Sequence, residues 1–118
     1  MSLFTESHHV LYNEALQKLS SYQQRSHEYQ TLIYVLTGND ELVKKALPYL
    51  TDGGFSSDRC FKEQDVSRGT ASLLKLAVHL YNANEDCSPL ELVENLDSDS
   101  FQLAMNAVYL RKYGMNKI

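Results

Sequence analysis

Apolar residues recur at three- and four-residue intervals along most of the chain, the spacing that lines one face of an α-helix. Leu11, Ala15, Leu19 and Tyr22 make one such stripe, with Tyr12 and Leu16 beside them. Thr5 is placed to cap the first amides of that helix. After the polar Gln23-Gln24-Arg25, Ser26 is placed to cap a second helix. Its inward face is Tyr29, Leu32, Ile33 and Leu36, and Gly38 suits the left-handed position beyond its end. Asn39 or Asp40 opens a third helix with Leu42, Val43, Ala46 and Leu47, and Pro48 ends or kinks it.

The run Thr51-Asp52-Gly53-Gly54 breaks the pattern. Residues 51–66 read as an extended loop that tucks Phe55 and Phe61 into the core. Ser67 or Thr70 then starts the most regular helix, with Leu73, Leu74, Ala77, Leu80 and Tyr81 on its core side. Only Lys75 and His79 interrupt its apolar run, so it is the expected central helix. Asn82-Ala83-Asn84-Glu85-Asp86 ends it. Ser88-Pro89-Leu90-Glu91 then joins a capping serine, a proline at the first helical position and a glutamate three residues after the cap. Asp97 or Ser98 caps the last helix, with Phe101, Ala104, Met105, Val108 and Tyr109 inward and Gly114 at its end. No alternating run bounded by hairpin turns occurs. The expectation is an all-α fold: a single compact bundle of five or six helices over residues 1–118, with 114–118 a frayed tail.

Composition changes this picture little. The chain has 118 residues, 43% hydrophobic and 22% charged, enough to sustain one core without metals or disulfides. No apolar run approaches ~18 residues, so no membrane span is expected. No basic start leads into an apolar stretch, so no secretory signal is read. Cys60 and Cys87 form no C-x-x-C unit, and the simplest reading is two free thiols in a reducing cytoplasm.

Charge changes it more. The net charge of −4 disfavours general affinity for nucleic acid. Residues 51–100 hold ten acids and four bases, whereas 101–118 hold three bases, Arg111, Lys112 and Lys117, and no acid. Between Lys75 and Arg111 lie Glu85, Asp86, Glu91, Glu94, Asp97 and Asp99 without a single Lys or Arg. Helix dipoles account for much of this order. The other reading is an acidic side with a basic tail, where a second copy of the chain could dock.

Three segments carry a resemblance: His8 with Tyr12, Leu32-Ile33-Tyr34-Val35-Leu36, and Leu76-Ala77-Val78-His79-Leu80-Tyr81-Asn82. In order and spacing, across residues 3–113, the chain resembles a family of small uncharacterised proteins of Firmicutes and their phages, a domain of unknown function. Where that family has a Trp-Gln pair this chain has Asp65 and Val66, and His79 stands where the family has Asn. The resemblance implies a small bacterial or phage cytoplasmic protein and supplies no mechanism.

Chemistry is sparse. His8 and His9 are adjacent, so on a helix they project ~100° apart and cannot share one ion. Asn82-x-Asn84-x-Asp86 and Asp97-x-Asp99 start like calcium loops. They lack the glycine at the sixth position (Cys87, Gln102) and the glutamate at the twelfth (Val93, Val108). No metal and no cofactor is expected. No G-x-S-x-G elbow is present, and the acids before Cys87 oppose thiolate formation. The balance leans against an enzyme. Ser67-Arg68-Gly69-Thr70 at a helix start could hold an anion, or act as an ordinary cap. A DNA-associated regulator would need a basic patch from Arg25, Lys44, Lys45, Arg111 and Lys112.

The leading expectation is therefore a small cytoplasmic protein-interaction or regulatory module that binds protein, including itself as a homodimer. Tyr and Met at half-exposed positions, Tyr34, Tyr49, Tyr113 and Met115, are types enriched at interfaces. Tyr49, Glu91, Glu94, Arg111, Lys112 and Tyr113 are the interface candidates. The alternative is a ligand binder or enzyme whose polar pocket is lined by His8, Tyr34, Arg68 and His79.

Overall fold

The structure, a computed structural model, describes residues 3–115. In chain order it holds α1 (Glu6–Gln17), α2 (Ser21–Arg25), α3 (His27–Thr37) and α4 (Asp40–Lys45). A 3₁₀ turn (Leu47–Tyr49) and two short strands, β1 (Leu50–Thr51) and β2 (Gly54–Phe55), follow. Then come α5 (Ser57–Glu63), α6 (Arg68–Asn82), α7 (Pro89–Asn95) and α8 (Ser98–Tyr113). The all-α class holds, with eight helices among the described residues rather than five or six.

Local chemistry explains the starts. Thr5, Ser26, Asn39, Ser88 and Asp97 each accept a hydrogen bond from a first-turn amide, as their residue types dictate. Two segments raise the helix count. The first apolar stripe breaks after Lys18, because Ser20 and Gln23 form a reciprocal capping box that starts α2. Leu19 stays buried, but Tyr22 turns out to solvent instead of lining the first helix's inner face.

Residues 51–66 are not an extended loop. Leu50 pairs with Phe55 and Thr51 with Gly54 in a tight hairpin. α5 follows, and its Ser56 cap position makes no side-chain bond, so nothing in the local sequence announces it. The hairpin delivers Phe55 to the core, and α5 delivers Cys60. Gly54, at φ +119°, lets the hairpin lie against Tyr81 and Tyr29, whose hydroxyls bond to each other at 3.1 Å.

The central helix is α3, not α6. Every residue from Gln30 to Thr37 is buried, and α3 packs against α1, α2, α4, α6 and α8. A helix apolar all round gains by being enclosed on every side. Its Thr37 hydroxyl bonds back to the Ile33 carbonyl at 2.6 Å, so it enters the core with its polar atom satisfied. α6 buries Thr70, Ser72, Leu73, Leu74, Leu76, Ala77 and Val78 but keeps an exposed stripe through Arg68, His79 and Asn82.

α8 also departs from expectation. Ala104, Asn106, Ala107 and Leu110 face inward, while Met105, Val108 and Tyr109 are exposed. The two alanines are small, which lets α8 approach α3 and α6 closely on that side. Tyr29 and Tyr81 are half-buried, and Tyr34 is wholly buried rather than half-exposed.

Gly38 is not left-handed, with φ −93°; a Cβ there would meet Leu103 Cδ1 at 2.6 Å and His8 Cε1 at 2.8 Å. Close approach, not backbone freedom, requires this glycine. Gly114 and Met115 are anchored rather than frayed, since the Met115 amide donates to Gln30 Oε1 at 2.9 Å. Residues 116–118, with Lys117, lie outside the described residues. No helix among the described residues is long and apolar enough to cross a membrane.

Candidate functional site

His8 on α1 and Tyr34 on α3 come together, with ring centroids 4.7 Å apart. His8 Nε2 donates to the Tyr34 carbonyl at 2.8 Å, which fixes the tautomer. Tyr34 Oη donates to the Leu3 carbonyl at 2.6 Å and accepts from Asn106 Nδ2 at 3.0 Å. Gln102 Nε2 donates to Asn106 Oδ1 at 2.9 Å, closing the chain of bonds. These groups floor a cleft of about 550 Å³ between α1, α3 and α8, with Asp40 and Asp99 also in its lining. Desolvation lowers the His8 pKa, outweighing its bond to the Tyr34 carbonyl, so the ring is neutral at pH 7. Burial raises the Tyr34 phenol.

The knot is a satisfied polar network. Its phenol and amides are committed to one another, and His8 Nδ1 is left as the lone-pair acceptor. Arg68 and His79 do not join it. They lie eleven residues apart on α6, about 16 Å along its axis, and both are exposed. His79 Nδ1 donates to the Glu85 carbonyl at 2.9 Å, closing the end of α6.

The helix start at Ser67-Arg68-Gly69-Thr70 is occupied by the chain's own carboxylate. Glu41 on α4 accepts from the Ser67 hydroxyl at 2.8 Å and the Ser67 amide at 3.1 Å, and Lys45 pairs with it at 3.3 Å. Hydrogen bonding by the Thr70 and Ser67 hydroxyls holds the Glu41 carboxyl down at about 2. The sequence showed these donors but not the glutamate that fills them, and this pairing pins α4 to α6.

Several interface candidates are engaged inside the chain. Tyr49 donates to Glu63 at 2.6 Å. Glu91 accepts from Ser72 at 2.9 Å and pairs with Lys75, tying α7 to α6. Arg111 pairs with Glu28 at 3.0 Å and donates to the Leu80 carbonyl at 2.8 Å, so it joins α3, α6 and α8. Glu94, Lys112 and Tyr113 are exposed. Cys60 and Cys87 are unpaired thiols, and burial raises both. Among the described residues no group of three His, Cys, Asp or Glu is arranged to hold a metal ion.

Asn106 was missed because the sequence pattern put Met105, Val108 and Tyr109 inward, whereas the buried stripe of α8 runs through Ala104, Asn106, Ala107 and Leu110. Gln102 and Glu41 carried no signal, because each lies on a helix surface in the sequence pattern.

Fold and cleft define a small α-helical bundle packed around α3, with a hydrogen-bonded polar network on the floor of one cleft. The chain belongs to DUF6075, a family of unknown function whose model matches residues 1–117. No curated protein and no solved structure matches it.

Proposed function

We propose that this chain is a small cytoplasmic interaction module that acts by binding protein through the outer face of α7 and α8, with a second copy of itself as partner. One observation carries this reading: α8 is apolar on two faces, and only one of them is covered. Val108 is 44% and Tyr109 40% exposed, with Met105 and Tyr113 beside them. On α7, Leu90 is 64% and Val93 63% exposed. Val93, Leu96 and Phe101, with Asp97 and Ser98, line one shallow cleft where α7 meets α8, beside the exposed residues of both helices. Scattered exposed apolar residues are ordinary, but a contiguous surface marks an association site.

The other readings have less support. The polar groups at His8 and Tyr34 are spent on each other, which leaves a ligand little to bind. Lys45 and Arg111 are paired with Glu41 and Glu28, which depletes a phosphate-binding patch. Sedimentation equilibrium at tens of micromolar chain tests the proposal. The expected result is a dimer mass that falls to monomer in Val108→Asp, with the variant still unfolding cooperatively at a midpoint that no longer rises with chain concentration. A wild-type monomer throughout, or an undiminished dimer in Val108→Asp, would overturn it.

A further inference from the structure

We infer that the two copies pair through α8 in antiparallel register about a two-fold axis, Phe101 against Lys112 and Met105 against Val108. This inference rests on the docking face proposed above and adds its geometry. Phe101, Met105, Val108 and Lys112 follow one another at intervals of four, three and four, the seam of a two-helix coiled coil. Met105, Val108 and Lys112 are exposed on the side of α8 away from the buried Ala107 and Leu110, and Phe101 is half-buried, packing against the core at the end of the seam. The seam is acidic at one end and basic at the other. Asp97 caps the start of α8 through its bond to the Ser100 amide at 2.8 Å. Lys112 stands in the last turn, 5.3 Å over the Tyr113 ring, and makes no ion pair among the described residues.

Charge selects the direction. In a parallel pair, Lys112 would meet Lys112 and Asp97 would meet Asp97, and like charges set against each other disfavour that pairing. In the antiparallel pair, the Lys112 stem lies over Phe101 of the second copy. Its ammonium then reaches Asp97, one helical turn further on. The opposed helix dipoles favour the same direction. A two-fold pair uses one surface twice, as a self-complementary patch requires. The seam by itself is small. A stable dimer buries roughly 800 Å² on each side, so Leu90 and Val93 of α7 are needed to widen the contact.

Disulfide trapping reads the direction, in a Cys87→Ser background. In the antiparallel pair the two copies of position 112 sit about 16 Å apart, too far for a disulfide. Lys112→Cys alone is therefore expected to stay unlinked, while a mixture of Lys112→Cys and Phe101→Cys chains links. Rapid linking of Lys112→Cys with itself would establish the parallel pair and overturn the inference. The second measurement needs no change at Phe101. Lys112→Glu is expected to weaken the dimer about tenfold and to reverse its salt dependence. Adding Asp97→Asn, which keeps a capping side chain, is expected to recover part of that loss. An unaltered dimer constant in Lys112→Glu would sink the register while leaving the Val108 surface standing. Absence of any wild-type dimer would sink the surface itself.

Discussion

Helices α3 and α8 both carry apolar residues around most of their circumference, yet they meet opposite fates. α3 is enclosed by five other helices, and no residue from Gln30 to Thr37 reaches solvent appreciably. α8 covers one face with Ala104, Ala107 and Leu110 and leaves Met105, Val108 and Tyr109 outside. The difference teaches that a helix apolar on two sides is either a core or half of an interface, and that the neighbours decide which. α3 has neighbours on every side. α8 closes the bundle, so its second face is left at the surface of the chain.

Substitution on the two helices gives the largest test of this contrast. Leu32→Ala on α3 is expected to cost about 2–5 kcal/mol, because a wholly buried side chain leaves a cavity. Val108→Ala on α8, measured on the monomer, is expected to stay within about 0.5 kcal/mol. Denaturant unfolding of both variants checks the pair. Comparable losses would mean that the outer face of α8 is already covered within one chain.

A second pair of substitutions sharpens what "buried" means inside that core. Tyr34→Phe removes a hydroxyl with two partners and strands the Leu3 carbonyl and the Asn106 amide, at a cost of about 1–3 kcal/mol. Tyr12 is equally buried, but its hydroxyl has no hydrogen-bond partner. Tyr12→Phe is therefore expected to be neutral or to stabilise by up to about 1 kcal/mol. Opposite signs in the two thermal midpoints support the network; equal losses would remove its special standing.

The smallest effect lies at the α4–α6 seam, away from both faces of the comparison. The Glu41 carboxyl titrates at about 2 in the fold against 4.5 when free. Its lowered pKa means that its contribution is complete above pH 4.5 and drains away as the pH falls from 4.5 through about 2. Glu41→Gln is expected to flatten the pH dependence of stability in that window and to leave its slope near neutrality unchanged. A variant as steep as the parent between those pH values would contradict this role.

Most of the helices could be read locally. The caps at Thr5, Ser26, Asn39, Ser88 and Asp97 were legible because a cap is a bond between neighbours three residues apart. α5 was not, since its start makes no side-chain cap and its burial depends on the hairpin before it. Of the cleft, His8 and Tyr34 were named from the sequence as lining a polar pocket, though Tyr34 was expected half-exposed. Arg68 and His79 looked equivalent in sequence, but they are exposed and sit at opposite ends of α6. Glu41 was invisible as the occupant of the Ser67 site, because twenty-six residues separate the two.

The amino-acid sequence by itself determined the all-α class, most helix starts and the acidic-to-basic order along the chain. Those properties are set by periodicity and by contacts a few residues apart. Tertiary structure alone decided that α3 is the centre, that Glu41 fills the start of α6, and that the larger apolar residues of α8 face outward. The physical reason is that a periodic pattern shows a helix has an apolar side, whereas close packing chooses the side that fits. On α8 that was the alanine side, which left Met105, Val108 and Tyr109 at the surface.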